Sequence, residues 1–164
     1  MQLKKIPQDA VPKALERAKH YRLLNEPNQA ESICLDILAL EPGHQEALRT
    51  LILALSDQLD RRLGERFRRA KELLPELDNE YARVYYEGIL DERRGRATLE
   101  RGGPAVGPAA HEWLRRAMDC YDRAAGLAEP GNAEALLRWN TCVRLIESHA
   151  ELRAEETTQE LMLE

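Results

Sequence analysis

The sequence predicts an all-α fold of stacked antiparallel helix pairs, and three observations carry that prediction. The phrase Glu-Pro-Gly-x-x-Glu-Ala-Leu occurs twice, at Glu41 to Leu48 and at Glu129 to Leu136, each time between two segments of helical apolar spacing. Leu, Ala, Glu and Arg dominate while aromatic residues make up only 5% of the chain, the composition of helices rather than of sheets. Apolar residues on either side of each phrase recur at three- and four-residue intervals. A proline just past a helix cannot extend it, and a glycine takes turn conformations that other residues resist, so each phrase closes one helix and leads into the next. Such a pair cannot bury its apolar face alone, so pairs stack.

The first pair runs up to Pro42. Ala14, Ala18 and Tyr21 share one helical face, Ala30, Cys34 and Ile37 share the next, and Asn25-Glu-Pro-Asn28 is the turn, with Pro27 in the first helical turn it tolerates. Ala18 and Ala30 let the two axes approach, and Tyr21 is expected to fill the gap above them. The second pair begins at Ala47-Leu48 and continues with Leu51 and Leu55; after the polar segment Asp60 to Gly64 come Phe67 and Ala70, ending at Pro75. Tyr21 and Phe67 are both predicted to be buried. The third pair begins at Tyr81 and returns through Ala117, Tyr121 and Ala124, and a last helix follows Pro130 with Leu136, Trp139, Val143 and Ile146.

This pattern resembles the tetratricopeptide repeat (TPR), a helix pair of about 34 residues with small residues, aromatics and a closing proline at fixed places. Ala18, Tyr21, Ala30 and Pro42 match in the first unit, Phe67, Ala70 and Pro75 in the second, and Ala117, Tyr121, Ala124 and Pro130 in the third. The repeats are degenerate: Cys34 and Ile37 stand where an aromatic and an alanine are usual, Leu63 where a small residue is, and Pro130 lies one place late. The proline register puts Tyr85 at the small-residue place, whereas Gly88 and Gly95 carry the family's seven-residue glycine spacing. The resemblance covers about residues 11–150. It implies a short right-handed superhelix of about three repeats plus a capping helix. On this reading residues 1–150 form one domain and 151–164 an acidic C-terminal tail. The stretch between the two phrases exceeds what two units need, and the excess falls at about 95–109, where Gly95, Gly102, Gly103, Gly107, Pro104 and Pro108 gather. A flexible solvated loop is expected there.

Charge narrows the function. Of the net charge of -5, the segment 147–164 supplies the whole excess, with Glu147, Glu151, Glu155, Glu156, Glu160 and Glu164 against Arg153. The remainder is neutral and mixed, which argues against a nucleic-acid partner, since phosphate contacts need a net basic face. No stretch approaches the apolar length of a membrane span, so no membrane partner is expected, and nothing at the N-terminus has the pattern of a leader. Cys34, Cys120 and Cys142 form no Cys-x-x-Cys pair, as in free thiols of a reducing compartment. A cytoplasmic location follows. His20, His44, His111 and His149 lack the spacing of metal ligands, and no phosphate-cradling loop or serine elbow occurs. Neither an enzyme, nor a metal, nor a cofactor is expected. Cys34 reads as a buried apolar residue, and Trp113 as core.

The sequence therefore points to a non-enzymatic protein-interaction module, an adaptor or scaffold. In the family it resembles, the first helices of successive units line a concave groove. Carried over by the proline register, the groove positions are Leu15, Lys19, Arg22, Arg49, Leu53, Tyr86, Ile89, Leu137, Thr141 and Arg144. They suit a peptide with acidic and apolar side chains. The lysine and asparagine clamp that some members use on chaperone C-termini is not matched, because Leu15, Lys19 and Thr50 stand at its places. The alternative is a self-assembling repeat, a homo-oligomer joined through its end surfaces or its tail.

Overall fold

Both copies of the repeated phrase close on the same main-chain hydrogen bond, although Gly131 takes φ +88° and Gly43 keeps a negative φ. In the computed structural model, which describes residues 1–58, 63–103 and 105–152, the main-chain N–H of His44 donates to the Glu41 carbonyl and that of Asn132 to the Glu129 carbonyl, each at 3.0 Å. The side chain at that fourth place then serves the next helix. His44 Nδ1 accepts from the Ala47 N–H at 3.3 Å, and Asn132 Oδ1 accepts from the Glu134 N–H at 3.1 Å. Each satisfies a donor that the first helical turn leaves open.

Among the described residues the chain forms α1 (Val11–Leu23), α2 (Pro27–Leu40), α3 (Gln45–Ser56), α4 (Leu63–Leu73), α5 (Glu80–Arg101), α6 (Val106–Leu127) and α7 (Glu134–Ser148). Two 3₁₀ turns, Gln8–Ala10 and Leu74–Glu76, complete the set, and the described residues contain no strand. The fold is all-α. The chain divides into two compact units, Met1–Asp78 and Asn79–Glu164.

In the first unit α1 packs on α2, α2 on α3, α3 on α4, and α1 also reaches α3. The turn after α1 holds Asn25 at φ +58°, a conformation asparagine tolerates, and Pro27 opens α2. Ala18, Ala30, Cys34 and Ile37 are fully buried, as are Leu48, Leu51, Ile52 and Leu55 on α3. Val11, Leu15, Ile37 and Ala47 form a cluster shared by three helices. Leu15, expected in a groove, is thus a core residue. Tyr21 and Phe67, expected to be buried, are only half-buried. Tyr21 stands near the C-terminal end of α1, where the pair opens into its turn, and Phe67 belongs to a helix whose main packing is against α3. The ammonium of Lys71 lies 5.4 Å from the Phe67 ring centre. The polar segment Asp60 to Gly64 lies mostly outside the described residues.

In the second unit α5 and α6, of 22 residues each, form one long hairpin, and α7 packs on α6. Asn79 caps α5 through its Oδ1, which accepts from the Ala82 N–H at 2.7 Å. The stretch 95–109, read as a flexible loop, is mostly helix: α5 continues to Arg101 and α6 begins at Val106. Arg96-Ala-Thr-Leu-Glu-Arg101 is rich in helix formers, and Pro108 sits in a first turn, where its missing N–H costs nothing. Gly95 is present for space, since a Cβ there would meet Leu114 Cγ at 3.1 Å and the Ala110 carbonyl at 3.2 Å. The reversal itself takes Gly102 at φ +68°, Gly103 at +112° and Ala105 at +60°. Gly107 lies against the chain just past α7, where a Cβ would fall 2.3 Å from the Glu151 carbonyl. Leu152 beside it is 1% exposed and belongs to the folded body. The rest of the acidic tail, 153–164, lies outside the described residues. Leu136, read as an inward residue of α7, is 52% exposed, and Trp139, Val143 and Ile146 are half-buried. Inward positions on α7 belong to Ala135 and Cys142 instead.

Candidate functional site

The sequence-derived groove positions fall in both units, and each unit treats them differently. In the first, α1 and α3 lie side by side, and three basic residues of that face are taken up by acids. Lys19 Nζ lies 2.5 Å from Glu46 Oε2, Arg22 Nε 2.7 Å from Asp57 Oδ2, and Arg49 Nη2 3.4 Å from Asp78 Oδ1. The first two pairs tie α1 to α3 and to the residue just after it; the third ties α3 to the end of the unit. The hydrogen bond from Lys19, reinforced by its charge, holds the Glu46 carboxyl below the ordinary carboxylate range. Leu53 on the same helix is half-buried. The face expected to be basic is therefore close to neutral. Arg22 and Asp57 are each about one-fifth exposed, so charge reversal at Arg22 alters the fold as well as the surface.

Behind that face a second charged knot fastens α4. Glu31 of α2 accepts from Arg66 at 2.5 Å, Arg69 at 2.9 Å and Gln58 at 3.2 Å. Burial pushes its carboxyl up, but the hydrogen bonds from Arg66 and Gln58 and the charge of Arg66 outweigh burial and hold it below its ordinary value.

In the second unit Ile89 is not a surface residue. It is 2% exposed, because α5 is rotated relative to the proline register. Gly88, not Tyr85, is the small residue at the α5–α6 contact: a Cβ on it would meet the Tyr121 ring at 2.8 Å and Cys120 Cβ at 3.1 Å. Tyr86 is half-buried and lies edge-on to Tyr85, ring centres 5.4 Å apart. Thr141 and Arg144 are exposed on α7, and Thr141 spends its hydroxyl on the Leu137 carbonyl at 2.9 Å. Leu137 is 63% exposed.

Sequence reasoning missed the most organised polar group of this unit. Glu92, 2% exposed, accepts the Tyr121 hydroxyl at 2.7 Å and Arg96 Nε at 3.0 Å, and it meets Arg138 Nη1 at 3.3 Å. One carboxylate thereby joins α5, α6 and α7. Burial raises the Tyr121 phenol, and the Glu92 carboxylate beside it raises it further, so the phenol stays protonated and donates. Its sequence signal, a Glu–Arg pair four residues apart on α5, is indistinguishable from an ordinary surface pair. Burial likewise pushes the Cys34 and Cys142 thiols up to about 12, which makes them poor nucleophiles. Trp113, expected in the core, is half-buried between α5 and α6, with the Arg94 and Arg116 guanidiniums each 4.5 Å from its ring centre.

Among the described residues no helix is long and apolar enough to cross a membrane, and no group of His, Cys, Asp and Glu is disposed to hold a metal ion. Comparison with protein families, with curated proteins and with solved structures finds no match for this chain.

Proposed function

We propose that the chain is a non-enzymatic, TPR-like protein-interaction module of the cytoplasm, and that the α1–α3 face of its first unit receives a segment of a partner protein. The observation that carries this reading is the side-by-side placement of α1 and α3, fastened by Lys19–Glu46 and Arg22–Asp57. A fixed face loses little conformational freedom on binding, so its contacts translate into affinity. Because its basic residues are already paired, the partner is selected by the alternation of paired charges and by apolar contact at Leu53, not by a net negative charge. The acidic peptide expected from the sequence is thereby replaced by a mixed polar and apolar one.

Charge-swapped pairs test this without disturbing the internal pairing. Lys19→Glu with Glu46→Lys, combined with Arg49→Glu and Asp78→Arg, keeps each pair while inverting its direction. A partner that co-purifies with the wild type from the native cell should be lost, with the melting temperature preserved. Retention of that partner by the swapped variant would remove the α1–α3 face as its site.

Self-assembly is the second reading, and α7 favours it. Leu136, Trp139, Val143 and Ile146 repeat at three- and four-residue spacing, with Leu136 52% exposed and the others half-buried, the narrow seam by which two helices pair. Light scattering on wild type and Leu136→Glu decides it: a dimer that the substitution converts to a monomer is the expected signature, and a monomeric wild type at high concentration would exclude it.

A further inference from the structure

Past α7 the chain stays on the folded body as far as Leu152. His149 breaks the helix at φ -118° and ψ 110°, its carbonyl accepts the Leu152 N–H at 3.1 Å, and the Glu151 carbonyl lies where a Cβ on Gly107 would fall 2.3 Å away. Leu152 is 1% exposed. The point from which residues 153–164 depart is therefore fixed, against the first turn of α6 beside the end of α7. Inward on α7 lie Ala135 and Cys142, and the strip of surface next to them is apolar. Leu136, Trp139, Val143 and Ile146 recur there at three- and four-residue spacing, Leu136 half exposed and the others half-buried. This strip leads back from the departure point, with Ile146 nearest and Leu136 farthest, over roughly 15 Å.

Residues 153–164 hold one apolar cluster, Leu161-Met162-Leu163, in a run otherwise polar and acidic apart from Ala154. The cluster begins nine residues past Leu152, a length of chain that spans from roughly 13 Å when wound to roughly 30 Å when extended. Every position of the strip is within that reach. We propose that Leu161, Met162 and Leu163 seat on the α7 strip of their own chain, so that the acidic segment is an internal cover over Leu136 and Trp139. Tethering selects this occupant over a second copy: a segment held within reach acts at an effective concentration on the order of millimolar, which another chain has to exceed. Its origin is already fixed at Leu152, which lowers the entropy lost when it docks. The proposal uses the exposed α7 strip that also favours self-assembly and gives that strip a different occupant; it is independent of the α1–α3 face.

Paired cysteines in the full chain test it. Leu136→Cys with Met162→Cys is compared with Leu137→Cys with Met162→Cys under mild oxidation; Leu137 is 63% exposed but lies about 100° round α7 from Leu136. Cys34, Cys120 and Cys142 are buried, and peptide mass identifies the bond that forms. An intrachain bond between positions 136 and 162 should form at least tenfold faster than one between 137 and 162. Equal rates overturn the proposal, because a segment that is not seated meets both positions alike. A bond between chains, with a yield that rises with protein concentration, overturns it in favour of a second copy and so supports self-assembly. A second readout uses Trp113→Phe, which leaves Trp139 as the remaining indole. Leu161→Ser, Met162→Ser and Leu163→Ser together should at least double the quenching of Trp139 emission by acrylamide, and unchanged quenching would remove the cover from this strip.

Discussion

Glu92 is held by donors from three helices, and removing it leaves Arg138 and the buried Tyr121 hydroxyl with an unbalanced charge and an unmet donor. Glu92→Ala is expected to cost about 3–5 kcal/mol, as when one partner of a buried ion pair is deleted. Tyr121→Ala is expected to cost a similar about 3–5 kcal/mol, because the ring is fully buried. Denaturant unfolding measures both, and a loss below about 1 kcal/mol in either would mean that the knot does not organise the unit. Gly88 makes a sharper point. Its Cβ would meet the Tyr121 ring at 2.8 Å, so Gly88→Ala should destabilise by about 1–3 kcal/mol. Gly126, on the same hairpin with nothing within 4 Å, should gain about 0.5–1 kcal/mol on the same change. Equal effects at the two sites would contradict the close approach of α5 and α6. The seven-residue spacing of Gly88 and Gly95 was readable in the sequence. That it overrides the proline register, and so carries Ile89 inward, was not, because two periodic signals on one helix differ by less than a turn and only packing chooses between them.

At the scale of elements, α4 depends on charge more than its neighbours do. Among its residues of described burial, Ala70 is the buried one, while Arg66 and Arg69 both reach Glu31. The folded carboxyl is held below its ordinary value of 4.5, so its contribution to stability is complete above that value and is lost as pH falls through the lower folded value. The stability gap between wild type and Glu31→Gln should therefore be constant at neutral pH and close in acid; a gap that widens in acid would reverse the assignment. The hairpin between α5 and α6 offers a second test. Ala105 holds φ +60°, which costs an alanine roughly 1–2 kcal/mol, so Ala105→Gly should raise the melting temperature, and a lower one would contradict this turn. Turns built on Pro27 and on the repeated phrase were legible because proline and glycine act locally. The helical extension through 96–101 was obscured by the same glycines, since Gly95 signals a break in sequence and a close contact in space.

For the molecule as a whole, sequence periodicity specified an all-α chain, the buried face of α2 (Ala30, Cys34 and Ile37) and parts of the buried faces of α1, α3 and α6. It could not specify which surface charges would find partners. Lys19–Glu46 and Arg22–Asp57 join residues far apart in sequence, and their pairing depends on the register of α1 against α3, which no local pattern encodes. The basic groove expected from Lys19, Arg22 and Arg49 thus becomes a neutral, braced face, and the partner expected for it changes with it. Hydrogen–deuterium exchange on the full chain with its co-purified partner tests this most directly. The account expects added protection on α1 and α3, over residues 15–24 and 45–57. Protection confined to residues 80–148, with α1 and α3 unchanged, would contradict the assignment of the binding face to the first unit.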